Sequence, residues 1–214
     1  MTKTAPPDSI SAHERVFRSL RQQIMHGELP PGEALTIRGI GASFGVSMTP
    51  AREAVRRLAA EGALTMTASG RVMTPELSGE RLEELTRIRA LLEPEMAALA
   101  LPRVHPALIE RMRSMNATVD QMVAKQDATG YVRSNLDFHR TLYLRAQAPA
   151  MLAIVETIWL QIGPTMRALY ASLKRSGRLG HHREVLAALK AGDEAALRLA
   201  MREDVTQGLR MLLG

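Results

Sequence analysis

Two groups of residues in this chain have the types and spacing for chemistry. The first lies between Gly45 and Gly62. On a helix that turns about 100° per residue, Ala51, Ala54, Val55 and Leu58 fall on one side, and Met48, Thr49, Arg52 and Arg56 on another. An arginine can grip a guanine edge with two parallel hydrogen bonds, and a threonine hydroxyl can reach a phosphate or a base. A helix with one packed side and two fixed cations on the other suits a DNA major groove. The competing reading is a surface helix with solvated arginines. The second group is Asn135, His139, His182 and Asp204. Asn135 and His139 are four residues apart, so they leave a helix from one face. His182 opens a later helix. Asp204 sits beside Met201, Val205 and Leu209, where a carboxylate is costly to bury unless it meets a cation. Together they would form a mixed nitrogen and oxygen site suited to Zn, Ni or Mn. A lone inward histidine is otherwise an ordinary hydrogen-bonded core residue.

Both groups need elements to hold them. Ser11 and Glu14 have the spacing of a capping box, ahead of a helix carrying Val16, Phe17, Leu20 and Ile24 inward and ending at Gly27. Leu29-Pro-Pro-Gly32 is a turn that cannot continue it. Thr36 can cap a second, shorter helix with Ile37, Ile40 and Phe44 inward. Gly39 and Gly41 inside it each weaken it by about 1 kcal/mol relative to Ala, so it must lean on tertiary packing. Gly45 permits the next turn. Ser47 or Thr49 can cap the third helix, Pro50 suits its first turn and Gly62 stops it. Leu64 to Thr67 and Val72 to Thr74 read as two short strands joined by Ala68 to Arg71. Three helices followed by a hairpin with a basic tip make a winged helix-turn-helix over residues 9–75, the wing reaching the minor groove or backbone.

Residues 77–214 read as an all-α bundle. Its helices are expected at about 78–101, 106–125, 131–146, 150–173, 180–190 and 193–213 by helical periodicity. Leu82, Leu85, Ile88, Leu92 and Leu99 face inward on the first, which Pro94 should kink. Gly130, Pro149, Gly180 and Gly192 mark breaks. Such a bundle is large enough to enclose a cavity. The fold class is thus mainly α, a winged helix-turn-helix followed by a helical bundle.

Composition agrees. Only 3% of the 214 residues are aromatic while 46% are apolar, which favours helices packed through Leu, Ala and Met. The net charge is +6, and it is denser in the first part: 9 Lys/Arg face 6 Asp/Glu up to Pro75, against 19 and 16 in the longer remainder. A modest positive excess suits a nucleic-acid partner. There is no cysteine, so no disulfide framework. The N-terminus lacks the apolar core of a signal peptide, and the apolar run from Met151 to Leu160 is broken by Glu156 and too short to span a bilayer. A cytoplasmic protein without a membrane partner is expected.

Leu29-Pro-Pro-Gly-Glu33, the run from Gly45 through Ser47, Thr49, Pro50, Arg52 and Val55, then Leu58, Glu61-Gly62 and Gly70 resemble the DNA-binding domain of GntR-type bacterial transcriptional regulators. The resemblance implies DNA contacts from Arg38, Ser47, Thr49, Arg52, Gly70 and Arg71. The position after Ser47 is usually Arg in that family. Here it is Met48, which removes one base contact and gives Arg56 more weight. Gly39 and Gly41 are also atypical. In the second part, Arg89 to Glu93, Phe138-His-Arg140, Trp159, and His182 followed by Asp193 are similar to the FCD effector domain of the FadR-like branch. Many members bind a divalent metal through an Asp and three His, with an organic acid beside it. His139 and His182 stand as expected. Asn135 replaces the expected Asp, and Asp204 the last expected His. One carboxylate has in effect moved between helices, so either a metal site with altered preference or a metal-free cavity follows. Asp137, two residues from His139, would point away. Arg89 could pair a ligand carboxylate, or Glu93 four residues on.

The leading expectation is a regulator that binds a double-stranded DNA operator as a homodimer, under control of a small organic acid in the helical domain. One alternative is a metal-dependent, hydrolase-like enzyme in the second domain. Against it, no further acid or base stands beside the proposed ligands. Another is a metal-free sensor of an acyl chain or coenzyme-A thioester.

Overall fold

The computed structural model describes residues 11–67, 71–176 and 180–213. Three helices come first: α1 (Ala12–Met25), α2 (Ile37–Ser43) and α3 (Met48–Ala60). Val16, Phe17, Leu20 and Ile24 of α1 pack with Ile40 of α2 and with Ala51, Ala54, Val55 and Leu58 of α3 in one apolar cluster. Removing this surface from water drives the docking. Thr36 caps α2 as expected, accepting the Gly39 N–H at 3.0 Å. Gly41 answers for one of the atypical glycines. A methyl there would lie 2.9 Å from the Val46 carbonyl, in the turn that aims α3. The expected capping box at α1 does not form. The Ser11 hydroxyl meets the His13 ring instead, and Glu14 is drawn to Arg18 and Arg57.

Three two-residue strands close this part: β1 (Ala34–Leu35), β2 (Thr65–Met66) and β3 (Val72–Met73), antiparallel in the order β1-β3-β2. Ala34 pairs with Met73, and Thr65 pairs with Met73 from the other side. β1 escaped the periodicity because two residues after a Pro-Pro-Gly turn have none to show. Thr74 ties it down, accepting the Glu33 N–H and donating to the Pro30 carbonyl. The fold is a winged helix-turn-helix with its hairpin, followed by a helical bundle.

The bundle comprises α4 (Gly79–Ala100), α5 (Pro106–Ala124), α6 (Ala128–Tyr143), α7 (Pro149–Ser176), α8 (His182–Ala191) and α9 (Glu194–Leu213), with a 3-10 turn at Leu101–Arg103. Leu85, Met96, Met112, Phe138, Leu142, Trp159, Leu197 and Met201 are among its fully buried side chains. Gly130 does not break the chain. It lies inside α6, where its N–H is held by the N-cap Asp127 at 2.8 Å. Leu99, expected inward, is 39% exposed. It falls at the last turn of α4, where Arg103 reaches back to its carbonyl.

The two parts meet along α1 and α7. Leu160 of α7 is fully buried in the cluster of the first part. The Gln161 amide donates to the Glu61 carbonyl at 3.2 Å and accepts from Arg81 at 3.2 Å. Gly163 lets the two helices touch backbone to backbone: a methyl there would run into the Ile24 carbonyl and lie 2.7 Å from that of Met25. Backbone cannot step aside as a side-chain tip does. Gly163→Ala is therefore expected to cost about 1–3 kcal/mol in a denaturant melt. Ile154→Ala, at an exposed position of the same helix, should change stability by less than about 0.5 kcal/mol.

Candidate nucleic-acid interface and metal centre

The residues of α3 divide by what holds them. Arg57 looks inward: its guanidinium meets Glu14 at 2.7 Å and lies 3.7 Å from the centre of the Phe17 ring. Charge pairing and cation–π attraction thus pin α3 to α1. Arg57 and Arg18 hold the Glu14 carboxyl below its ordinary range. Arg52 and Arg56 look outward and are exposed, as are Arg38 on α2 and Arg71 at the start of the returning wing strand. Among the described residues, none of these four side chains has an ion-pair or hydrogen-bond partner. Ser47 occupies the N-cap position of α3, yet its hydroxyl makes no capping bond. Thr49 is exposed beside it. Met48 is 46% exposed at the position where a cation was expected. The surface therefore offers hydroxyls, a thioether and guanidinium groups that no carboxylate among the described residues pairs with. Gly70, expected in the wing beside Arg71, lies outside the described residues.

In the bundle, α6, α8 and α9 bring His139, His182 and Asp204 together, all three nearly or fully buried. His139 Nε2 lies 3.0 Å from Asp204 Oδ2 and 3.4 Å from His182 Nε2. His182 Nε2 lies 4.0 Å from Asp204 Oδ1. One donor atom from each falls within 4.8 Å of the others. Asp204 Oδ1 accepts the His181 backbone N–H at 2.7 Å, which orients the carboxylate. Asn135, one turn before His139 on α6, is 7% exposed and makes no hydrogen bond with the described residues. Phe138 stacks on the His182 ring at 3.8 Å between centroids.

The far side of each imidazole tells where its proton sits. His182 Nδ1 is 3.0 Å from Asn116 Oδ1, while the Asn116 amide nitrogen faces Asp120. The oxygen accepts, so His182 carries its proton on Nδ1. His139 Nδ1 is 3.2 Å from the Tyr143 hydroxyl, and that hydroxyl has the Glu93 carboxylate at 2.8 Å as its acceptor. Tyr143 then receives the proton on His139 Nδ1. Both Nε2 atoms are left facing the Asp204 carboxylate, His139 at hydrogen-bond distance, where each can hold either a proton or a metal ion. Only positive charge relieves such a cluster. A proton satisfies two of the three atoms; a metal ion satisfies all three, and imidazole with carboxylate is a donor set for borderline divalent cations. The residues thus fit a metal.

The local electrostatics agree. Burial would raise the Asp204 carboxyl, but positive charge on the His182 and His139 rings, a hydrogen bond from His139 and the His181 amide outweigh it and hold it well below the carboxylate range, so the site favours positive charge on its imidazole side. Burial lowers His182 to about 4 against the opposing pull of Asp204, with His139 adding to the lowering, so its ring is neutral near neutrality.

Arg89 does not face an open site. It is 6% exposed and its Nε meets Glu93 Oε1 at 2.5 Å. Glu93, fully buried, also accepts from Trp159 Nε1 at 3.1 Å. Burial alone would lower the Arg89 pKa, but Glu93 more than reverses this. Sequence reasoning named neither Asn116 nor Tyr143 as part of the site. Tyr143 had a signal, four residues beyond His139 on one helix face; Asn116 is on a different helix and had none.

Comparisons with known proteins bear on both halves. Residues 12–72 match the gntR family of bacterial regulatory proteins, and residues 84–207 match the FCD domain. The HTH-type transcriptional regulator McbR of Escherichia coli (strain K12) is 29% identical over 99% of this chain and 97% of its own length. The solved structure of E. coli McbR/YncC superposes with a TM-score of 0.85, covering 96% of this chain and 98% of that one. The gluconate operon transcriptional repressor of Bacillus subtilis (strain 168) is 26% identical over 72% of this chain and 61% of its own.

The contrast between inner and outer arginines is checkable without DNA. Arg57→Ala is expected to lower the denaturation midpoint, whereas Arg52→Ala should leave it unchanged, because only Arg57 is held by the protein.

Proposed function

Because the chain belongs to the GntR family of bacterial regulatory proteins and carries an FCD effector domain, we propose how its two sites divide the work of a transcriptional regulator. Residues 9–75 bind operator DNA, and residues 77–214 sense an effector and pair two copies into a homodimer. Arg52 and Arg56, with Ser47, Met48 and Thr49, enter the major groove. Arg38 supports them at the backbone, and Gly70 and Arg71 carry the wing to the duplex. The observation that carries this reading is the separation on α3: Arg57 is locked to Glu14 and Phe17, while Arg52 and Arg56 stand exposed. Met48 supplies an apolar contact, suited to a thymine methyl, where the family usually places a guanidinium. McbR is named a transcriptional regulator and the gluconate operon protein a transcriptional repressor. The chain is a regulator and not an enzyme, and the hydrolase alternative finds no support. Among the described residues no helix is long and apolar enough to cross a membrane.

The effector domain uses His139, His182 and Asp204, with Asn135 as a fourth donor, to hold a divalent ion of the Zn, Ni or Mn class. Such an ion supplies a Lewis-acidic centre able to take an oxygen ligand. A small organic acid would bind there. Arg89 is already committed to Glu93, which favours the metal centre over Arg89 as the acceptor of the effector's carboxylate.

A gel-shift with the upstream DNA of the chain's own gene tests the first half. Arg52→Ala is expected to weaken operator binding by about 1–3 kcal/mol and relax specificity at one position; unchanged affinity and specificity would remove the recognition-helix assignment. Elemental analysis of protein purified without chelator tests the second half. The wild type should carry near-stoichiometric metal and His139→Ala little, and a metal-free wild type would end that assignment.

A further inference from the structure

We propose that Tyr143 and Asn116 are positioning residues for the metal centre: each engages one imidazole through Nδ1–H, and together they leave both Nε2 atoms beside the Asp204 carboxylate to take the ion. The inference rests on the metal reading above and adds residues that never touch the ion.

The geometry is asymmetric and complete. Tyr143 is 1% exposed, so no water can take the place of its hydroxyl beside His139. Its own proton goes to Glu93 at 2.8 Å, because a carboxylate is the strongest acceptor within reach. Glu93 is held in place by Arg89 at one side and by a hydrogen bond from Trp159 at another. The tyrosine oxygen therefore presents lone pairs to His139 Nδ1 at 3.2 Å. Arg89, Glu93 and Tyr143 form a relay of fixed direction that ends on one ring nitrogen. On the other side, Asn116 does the same for His182, its amide orientation set by Asp120. A ligating histidine that donates its second N–H to a fixed acceptor is held in the right tautomer and made more basic, and loss of such an acceptor costs about 10–100-fold in metal affinity. This assigns Arg89 a place at the site without contact to any ligand: it holds the acceptor that holds the histidine.

The test uses the full chain, Zn²⁺ and a competing chelator of known affinity. Tyr143→Phe removes the acceptor and little volume, and it should weaken Zn²⁺ binding about 10–100-fold. Asn116→Leu removes the acceptor at His182 and should weaken binding in the same sense, while Asn116→Asp keeps an acceptor oxygen at similar volume and should restore wild-type affinity. That contrast separates hydrogen bonding from packing. A spectroscopic readout is independent of affinity. In the zinc-loaded protein labelled with ¹⁵N-histidine, two exchange-protected Nδ1–H signals are expected, and in Tyr143→Phe the His139 signal should lose its protection or move. Wild-type affinity in both Tyr143→Phe and Asn116→Leu, with the Nδ1–H signals unmoved, would overturn the positioning roles and leave the metal centre standing. Zn²⁺ bound through Nδ1 would overturn them directly. A wild-type chain that takes up no Zn²⁺, Ni²⁺ or Mn²⁺ would instead bring down the metal centre, and this inference with it.

Discussion

Glu93 is a carboxylate with no contact with water. A charge in that position must be compensated on every side, or the helices around it cannot close. Here the compensation comes from three helices. Arg89 reaches it from the preceding turn of α4, Tyr143 from α6 and Trp159 from α7. Tyr143 in turn touches the Met201 sulfur on α9. Three helices of the bundle are thus set in register by one side chain, and a fourth through Tyr143, with directional bonds where an aliphatic core would offer only volume. Burial is the first cause, and Glu93 the next, that drive the Tyr143 hydroxyl far above its ordinary pKa, so it stays a neutral donor.

The second buried carboxylate, Asp204, answers the same constraint differently. Its compensation comes from one backbone amide and two imidazoles, none carrying a fixed charge like that of Arg89. One carboxylate is therefore met by a fixed guanidinium charge, and the other depends on positive charge that a proton or a cation brings to its imidazoles. Their separation is small: the Tyr143 hydroxyl and the His139 ring are all that lie between them. A rigid network with a fixed charge thus backs one whose charge can be exchanged, which is how a binding centre can be held still while keeping its affinity for a cation.

Much of this was legible in the residue pattern. The apolar repeats of Val16, Phe17, Leu20 and Ile24, and of Ala51, Ala54, Val55 and Leu58, mark buried faces because a helix repeats every few residues. The same arithmetic placed Arg52 and Arg56 outward. His139, His182 and Asp204 were legible as polar residues at core positions, where chemistry has to explain them. What was not legible depends on meetings across long separations. Glu93 reads as the intrahelical partner of Arg89, and nothing in the spacing says that Trp159 arrives from 66 residues away. Strand β1 is too short to have a period. Ser11 and Glu14 carry the letters of a capping box, but Arg57, 43 residues from Glu14, offers a stronger partner than an amide. Local signals held where no distant charge competed with them.

Trp159 and Leu160 are neighbours on α7, and they belong to different halves of the molecule. The indole is bonded to the carboxylate behind the histidines, and the leucine is sealed among the side chains that seat the arginine-bearing helix. Gly163, one turn on, removes the cushion of side chain that would let the halves slide. A helix is stiff over so short a span, so a tilt imposed at the indole cannot leave the leucine behind. The rod that carries the indole behind the histidines is also the beam on which the reading head is mounted.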